Sequence, residues 1–495
     1  MAITKEELPM MRYENLNKSF INGEWVEGRS DQTYDIVNPY DHSVVTTVRL
    51  ATSQQLHEAI DMAKQAQKKW AKSSADERKT VIYKAAEYLK ANRAAIVDII
   101  VRETGGTLLK ANVEVHLALE VLEEAIHYAD AIDQVREIPS AIEGKVNHIR
   151  RLPLGVVASI SPFNFPMNLS MRTIAPAIAL GNSVVHKPDI QVGLTGGSII
   201  AKAFEHAGLP HGVFNMILTD ITEIGDDLLT HPHVGLISFT GSTAVGRHIG
   251  EIAGRNLKRV ILELGGNSPF VVLSDADVDR AVDAAVFGKF IHQGQICMII
   301  NRIIVHKDKH DEFVQKFVER AKALPCGDPR DPNTMIGPLI NERQLEKAVS
   351  AIEAAKRDGA KMALEGKREG NVLTPYVFID VDNSSKLAQT ELFAPIATII
   401  KANTDEEAII MANETEYGLS SSIFTTDLAK GEELALQIES GMTHINDQTV
   451  NDSPNIPFGG NKASGSGRFG NPWIIDEFTI TKWVSVQEKY RRFPF

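Results

Sequence analysis

Apolar and polar positions change their period several times along the chain. Phe20-Ile21-Asn22-Gly23-Glu24-Trp25-Val26 reads as a hairpin, because Asn-Gly supplies the positive φ angles a two-residue turn needs. Helical spacing follows. Leu56, Ile60, Ala63 and Trp70 share one face behind a Thr52/Gln55 capping box. Val81, Ala85, Tyr88 and Leu89 form a second stripe, and Ile96, Ile99 and Ile100 a third that Gly105-Gly106 stops. After Leu154 short β-branched runs take over: Gly155–Ser159, Ser183–His186, Val213–Ile217, Leu236–Phe239 and Val260–Leu264. Helical segments near 167–179, 194–207, 222–230 and 244–254 separate them, and such alternation predicts a parallel sheet with crossover helices.

A second alternating series starts near Phe270. It takes in Arg302–His306, a helix near 309–322, Tyr376–Asp380, Ile396–Lys401, a helix near 405–413, Ser421–Phe424 and Met442–Ile445. The stretch from Ala129 to Arg151 has no helical period. Phe478–Val486 alternates like an exposed strand, and an open edge of that kind is expected to pair within an oligomer.

A chain of 495 residues suggests two to four domains, and no internal repeat is visible. The net charge of -12 argues against a general nucleic-acid binder, and the basic Lys489-Tyr490-Arg491-Arg492 is short enough to be a solvated tail. With only Cys297 and Cys326 there is no disulfide framework, which fits a reducing compartment. The polar Met1–Phe20 stretch has no signal-peptide core, and no apolar run is long enough to span a membrane; a cytoplasmic address is the default.

Candidate chemistry collects just after predicted strands, where open α/β sheets bind ligands. Cys297, in Gln293-Gly294-Gln295-Ile296-Cys297, is a candidate nucleophile, with inert packing as the alternative. Glu263 ends an apolar strand before Gly265-Gly266. Burial there would raise its pKa and poise it as a base, whereas a solvated strand end would leave it ordinary. Asn164, in the proline-flanked Pro162-Phe163-Asn164-Phe165-Pro166, either donates to an oxyanion or caps the next helix. Gly241-Ser242-Thr243-Ala244-Val245-Gly246 opens a helix with glycines and hydroxyls that suit a phosphate, although it is not a G-x-G-x-x-G fingerprint. Lys187 follows a strand and is either a ribose or phosphate ligand or a surface lysine. No histidine set has metal-site spacing, so no metal is expected, and Cys326 reads as a loop bystander.

Over nearly its whole length the chain resembles the aldehyde dehydrogenase superfamily. Landmarks appear in the family order: Pro162-Phe163-Asn164-Phe165-Pro166, His186-Lys187-Pro188, Phe239-Thr240-Gly241-Ser242-Thr243 and Leu262-Glu263-Leu264-Gly265-Gly266. Gln293-Gly294-Gln295-Ile296-Cys297, Glu391-Leu392-Phe393-Ala394-Pro395 and Pro457-Phe458-Gly459-Gly460 complete them. The resemblance implies an α/β fold of two open parallel-sheet domains, one Rossmann-like, plus a small oligomerisation sheet. It places the NAD(P)-binding domain at 1–128 and 151–262, the catalytic domain at 263–450, and oligomerisation segments at 129–150 and 471–495. It also implies attack by Cys297 on an aldehyde, an oxyanion held by Asn164 and the Cys297 amide, and a thioester hydrolysed by water that Glu263 activates. Lys187 and Glu391 would bind ribose hydroxyls and Ser242 the pyrophosphate. Phe393 would pack near the nicotinamide, and Leu264 would border the cofactor. A homodimer or homotetramer is implied.

Departures from the family pattern refine these expectations. Ile190 replaces a ribose-gripping glutamate common in NAD-preferring relatives, so NADP is expected to be tolerated beside NAD. Ala394 replaces a common glycine. Phe163, Ile296 and Met298 either line a pocket for an apolar or aromatic aldehyde or merely pack. With Arg172-Thr173-Ile174-Ala175-Pro176 and Cys297-Met298-Ile299-Ile300-Asn301-Arg302 they resemble the benzaldehyde and vanillin dehydrogenase branch, which makes Arg172 a pocket candidate too. Glu263 favours release of free acid over acyl transfer to CoA. Acyl transfer or esterase action on the same thiol, and a non-enzymatic homologue, are the rival readings.

Overall fold

The computed structural model describes residues 15–495, so the opening of the polar Met1–Phe20 stretch lies outside the described residues. Two large sheets organise the molecule. The first has eight strands in the order Glu24–Val26, Ser19–Ile21, Phe214–Met216, Ser183–Pro188, Val156–Ser161, Val234–Thr240, Arg259–Glu263 and Gly465–Ser466. From Phe214–Met216 to Arg259–Glu263 the strands run parallel, and the central ones, Val156–Ser161, Ser183–Pro188 and Val234–Thr240, are buried on both faces, which is why their sequences are largely apolar runs. The Asn22-Gly23 hairpin forms one edge, with φ of 51° and 81°. At the other edge, Gly465 and Ser466 pair antiparallel with Glu263 and Leu262. Only glycine fits at 465, since a Cβ there would stand 1.9 Å from the Leu262 carbonyl oxygen.

The second sheet has seven strands in the order Lys361–Leu364, Tyr376–Ile379, Ile396–Ala402, Ile300–His306, Ser268–Val272, Ser420–Phe424 and Met442–Ile445. All pairings are parallel except that of Lys361–Leu364. The fold is thus α/β with two mostly parallel sheets and smaller antiparallel ones.

The capping box Thr52/Gln55 forms as read, and Gly105 closes the third helix in the left-handed conformation at φ 66°. Other segments differ. The expected helix near 222–230 is two short ones, Ile221–Ile224 and Asp227–Thr230, split at Gly225. The segment near 194–207 starts as a π-helical turn, Leu194–Ser198, whose first amides donate to the buried carboxylate of Glu103. A 21-residue helix, Leu108–Tyr128, was not anticipated, because Lys110 and Glu114 interrupt its buried stripe. Helices Val278–Phe290, Glu342–Arg357 and Leu428–Ala435 were also not read from the pattern.

A third sheet is three-stranded, with order Thr479–Gln487, Lys145–Pro153, Val135–Pro139. The C-terminal strand therefore finds its partner inside the same chain, along all nine residues, and not first in an oligomer. Its far edge stays open, and Ile480 and Trp483 are exposed on it.

Candidate active site

A cleft of about 660 Å³ lies at the C-terminal ends of the first sheet's strands and is walled on the other side by the second unit. Of the residues singled out from the sequence, Phe163, Asn164, Gly241, Ser242, Glu263, Leu264, Cys297, Glu391 and Phe393 line it. They come from segments up to 230 positions apart and meet because parallel strands deliver their C-terminal loops to one rim.

Cys297 ends a tightly held turn. His292, Gln293 and Gly294 all have positive φ (49°, 56° and 78°), a costly conformation for the two residues that are not glycine. Side-chain amides hold it: Gln293 Nε2 donates to the Gly105 and Pro338 carbonyls at 3.1 and 2.9 Å, and Gln295 Oε1 accepts the Ile340 N–H at 3.1 Å. A Cβ on Gly294 would stand 2.4 Å from the Ala394 carbonyl oxygen, so close approach adds to the φ requirement. Burial pushes the Cys297 thiol up to about 12. The Glu263, Glu391 and Asp452 carboxylates add to this and the Arg172 guanidinium opposes it.

Glu263 is buried at the end of its strand, and its Oε1 has no hydrogen-bond partner among the described residues. Burial raises its carboxyl to about 8, with Arg172 and Arg468 pulling the other way. The double glycine after it has a spatial reason. A Cβ on Gly266 would stand 2.4 Å from the Cys297 carbonyl oxygen, and one on Gly265 would stand 2.5 Å from Glu391 Oε2. Glu391 Oε1 accepts the Gly266 N–H at 3.0 Å, and burial raises this carboxyl to about 7.

Asn164 is not a helix cap. Phe165 holds the N-cap position of Pro166–Ala179 without a side-chain bond, while Asn164 Nδ2 donates to the Gln295 carbonyl at 3.0 Å and Oδ1 has no partner among the described residues. Phe163 and Phe393 meet edge to face across the cleft, with centroids 5.9 Å apart.

Ser242 caps the helix Thr243–Arg255, its Oγ accepting the Val245 N–H. Thr243 Oγ1 donates to the Ala463 carbonyl at 3.2 Å, and Ala244 and Val245 are exposed. Gly246 lies against Leu264; a Cβ there would stand 2.2 Å from Leu264 Cδ2. Lys187 ends its strand opposite Ile160, and burial lowers its pKa. Ile190 is buried in the following turn. Neither Lys187 nor Ile190 is part of the main cleft wall.

Three further candidates also lie outside that wall. Ile296 and Met298 are packed in the hydrophobic core around the first sheet. Arg172 is buried, ion-paired with Asp452 and stacked 3.9 Å from the Phe458 ring centroid, beside a much smaller cavity that Tyr128 and Phe469 share. Sequence reading missed Asp452, which is 280 positions from its partner. It also missed the wall formed by Arg343, Gln344 and Lys347. A signal for that wall existed: the Asn341 cap followed by Leu345, Ala348, Ile352 and Ala355 at helical spacing.

A thiol, a buried carboxyl without a partner and a carboxamide share one cleft with the start of a 13-residue helix. That combination suits covalent chemistry on a carbonyl next to an anionic ligand. The pattern that defines the Aldehyde dehydrogenase family matches residues 25–484, and the chain belongs to that family. Among its relatives is AldY of Bacillus subtilis (strain 168), named as an aldehyde dehydrogenase, 69% identical, with 98% of this chain and 100% of that protein covered. A vanillin dehydrogenase of Corynebacterium glutamicum is 47% identical over 95% of this chain and 97% of its own length. The crystal structure of an NAD-dependent benzaldehyde dehydrogenase from Corynebacterium glutamicum superposes with a TM-score of 0.89 at 43% identity, covering 97% of this chain and 98% of that one.

Proposed function

We propose that this protein oxidises an aromatic aldehyde of the benzaldehyde or vanillin type to its carboxylic acid, with NAD or NADP as acceptor. The observation that carries this reading is the convergence of Cys297, Glu263 and Asn164 on one cleft that the Ser242-capped helix also enters. The relatives named for vanillin and benzaldehyde, and the Phe163–Phe393 pair, support an aromatic substrate.

The residues fit a dinucleotide. The N-terminal end of the Thr243–Arg255 helix opens on the cleft at Ser242, Gly265 adds backbone without a side chain, and Glu391 brings a carboxyl able to bind ribose hydroxyls, with Lys187 the second candidate just outside the wall. When bound, the nicotinamide supplies a hydride acceptor. The chain does the rest. Cys297 Sγ passes its proton to water as it bonds to the carbonyl carbon, and the oxygen takes up negative charge held by Asn164 Nδ2 and the Cys297 N–H. Loss of the aldehyde hydrogen with its electron pair leaves a thioester on Cys297. Glu263, once deprotonated, takes a proton from water as that water attacks the thioester. The carbon–sulfur bond breaks, the acid leaves, and the expelled thiolate takes the proton back from Glu263, which restores the thiol.

With the thiol near 12, this resting arrangement holds sulfur protonated at neutral pH, so the nucleophile is unmasked only when the cleft's charges change. Cys297→Ser should cut NAD(P)H formation from benzaldehyde by more than about 10³-fold. A serine variant working at full rate would refute the reading. Free acid is the product because Glu263 is present; CoA transfer would appear as a product assay that depends on added CoA. Phe163, Arg172, Ile296 and Met298 stay as candidate substrate-shaping residues, directly or through packing. We assign 1–128 with 151–262 to cofactor binding, 263–450 to catalysis, and 129–150 with 471–495 to a homodimer or homotetramer interface. A cytoplasmic location and no nucleic-acid or membrane partner complete the proposal.

A further inference from the structure

Helix Leu108–Tyr128 buries two charged side chains where it packs on helix Pro166–Ala179. Lys110 and Glu114, one turn apart, are fully buried and joined by a 2.5 Å ion pair between Nζ and Oε2. Apolar side chains of similar volume would hold two helices together as well as a buried ion pair does. The pair's other contacts therefore point to what it does. Glu114 Oε1 accepts the Met167 N–H at 2.8 Å. That amide lies in the first helical turn, where no intrahelical acceptor exists, three residues beyond Asn164. Lys110 Nζ sits 4.6 Å from the Phe165 ring centroid, and the Phe165 ring meets His292 edge to face at 5.5 Å. His292 begins the left-handed turn that leads to Cys297. One ion pair thus touches the Asn164 arm directly and reaches the Cys297 arm through the Phe165 ring, and the arms meet at the bond from Asn164 Nδ2 to the Gln295 carbonyl.

We propose that Lys110 and Glu114 are positioning residues: by anchoring the Met167 amide they hold the Asn164 carboxamide in register with the Cys297 loop. The proposal rests on the reading of Asn164 as oxyanion donor. Such a donor works only when fixed where charge develops, so a shift of about 1 Å costs rate more than it costs binding. Lys110 Nζ donates to Glu114 Oε2, leaving Oε1 for the Met167 N–H, and rests on the Phe165 face.

The test compares two uncharged double variants. K110M/E114L removes the acceptor, and kcat should fall about 30-fold with KM for benzaldehyde and NAD within about threefold. K110M/E114Q keeps a carbonyl for the Met167 N–H and should recover kcat to within about threefold of the parent. Repeated in an Asn164→Ala background, the leucine pair should cost less than about threefold more, because the group it positions is gone. Equal kcat for the two double variants, or the same 30-fold loss in both backgrounds, would overturn the positioning role. An Asn164→Ala enzyme with full kcat would instead sink the oxyanion reading. Should the leucine pair fail to fold, Glu114→Gln alone decides. A loss under about threefold supports the role of the acceptor, and a 30-fold loss at unchanged melting temperature overturns it.

Discussion

The two ends of the cleft treat polar groups in opposite ways. Where helix Thr243–Arg255 begins, Ser242, Ala244 and Val245 are exposed and the cap bond is made. Where Cys297 lies, Glu263 Oε1 and Asn164 Oδ1 are buried without partners among the described residues, and two non-glycine residues hold positive φ. The exposed end offers a ready-made anion site whose parts are individually inexpensive. The buried end keeps its groups desolvated, unsatisfied and shifted in pKa, which is the condition under which proton transfer and charge stabilisation gain strength. On the proposed reading, binding and chemistry are thus separated by solvent exposure within one cavity.

The sharpest way to break this contrast is Glu263→Gln. Steady-state kcat should fall about 10³-fold, while a single-turnover burst of NAD(P)H survives, because the base acts after hydride loss. If the burst vanishes as well, Glu263 acts earlier than proposed. The same carboxyl should set pH dependence. Its folded pKa is raised to about 8, so thioester hydrolysis should speed up as pH rises through that value. Stability runs the other way. The unfolded chain loses this proton near the ordinary carboxylate range while the folded chain keeps it, so Glu263 stabilises the fold least above pH 8. Glu263→Gln should therefore gain on the parent in melting temperature between pH 5 and pH 8 and hold that gain above it. A difference that does not change with pH would contradict the shift.

Milder effects belong to the exposed end. Ser242→Ala removes a helix cap worth about 1 kcal/mol and should raise KM for NAD several-fold with kcat preserved; a loss confined to kcat would erase the division of labour. Ile190→Glu restores a carboxylate at the ribose position and should lower kcat/KM for NADP about tenfold against NAD. If the parent enzyme already rejects NADP, the isoleucine is not the determinant.

What was legible in the sequence follows the same divide between local and distant forces. Strands such as Val156–Ser161 and Ser183–Pro188 show themselves as β-branched runs because both their faces are buried. Glu263 and Cys297 stood out since each ends a run of that kind or a glycine turn. Helix Leu108–Tyr128 did not, because two charges sit in its buried stripe and pair only with each other and with a distant amide. Gln293 and Gln295 gave a motif, but their clamp on residues 105, 338 and 340 is a tertiary fact no local pattern carries. The same holds for Arg172, whose neighbours Asp452 and Phe458 arrive from the far end of the chain.

The pairing of Gly465 and Ser466 beside Glu263 bears on how the protein is made. A ribosome must release the chain through Ser466, about 200 residues beyond Glu263, before the strand carrying that carboxylate gains its outer neighbour. Until then the edge is bare, and a nascent or truncated chain has a cofactor-side sheet without its last rung. Completion of the sheet beside Glu263 is thereby deferred until that distant segment has emerged.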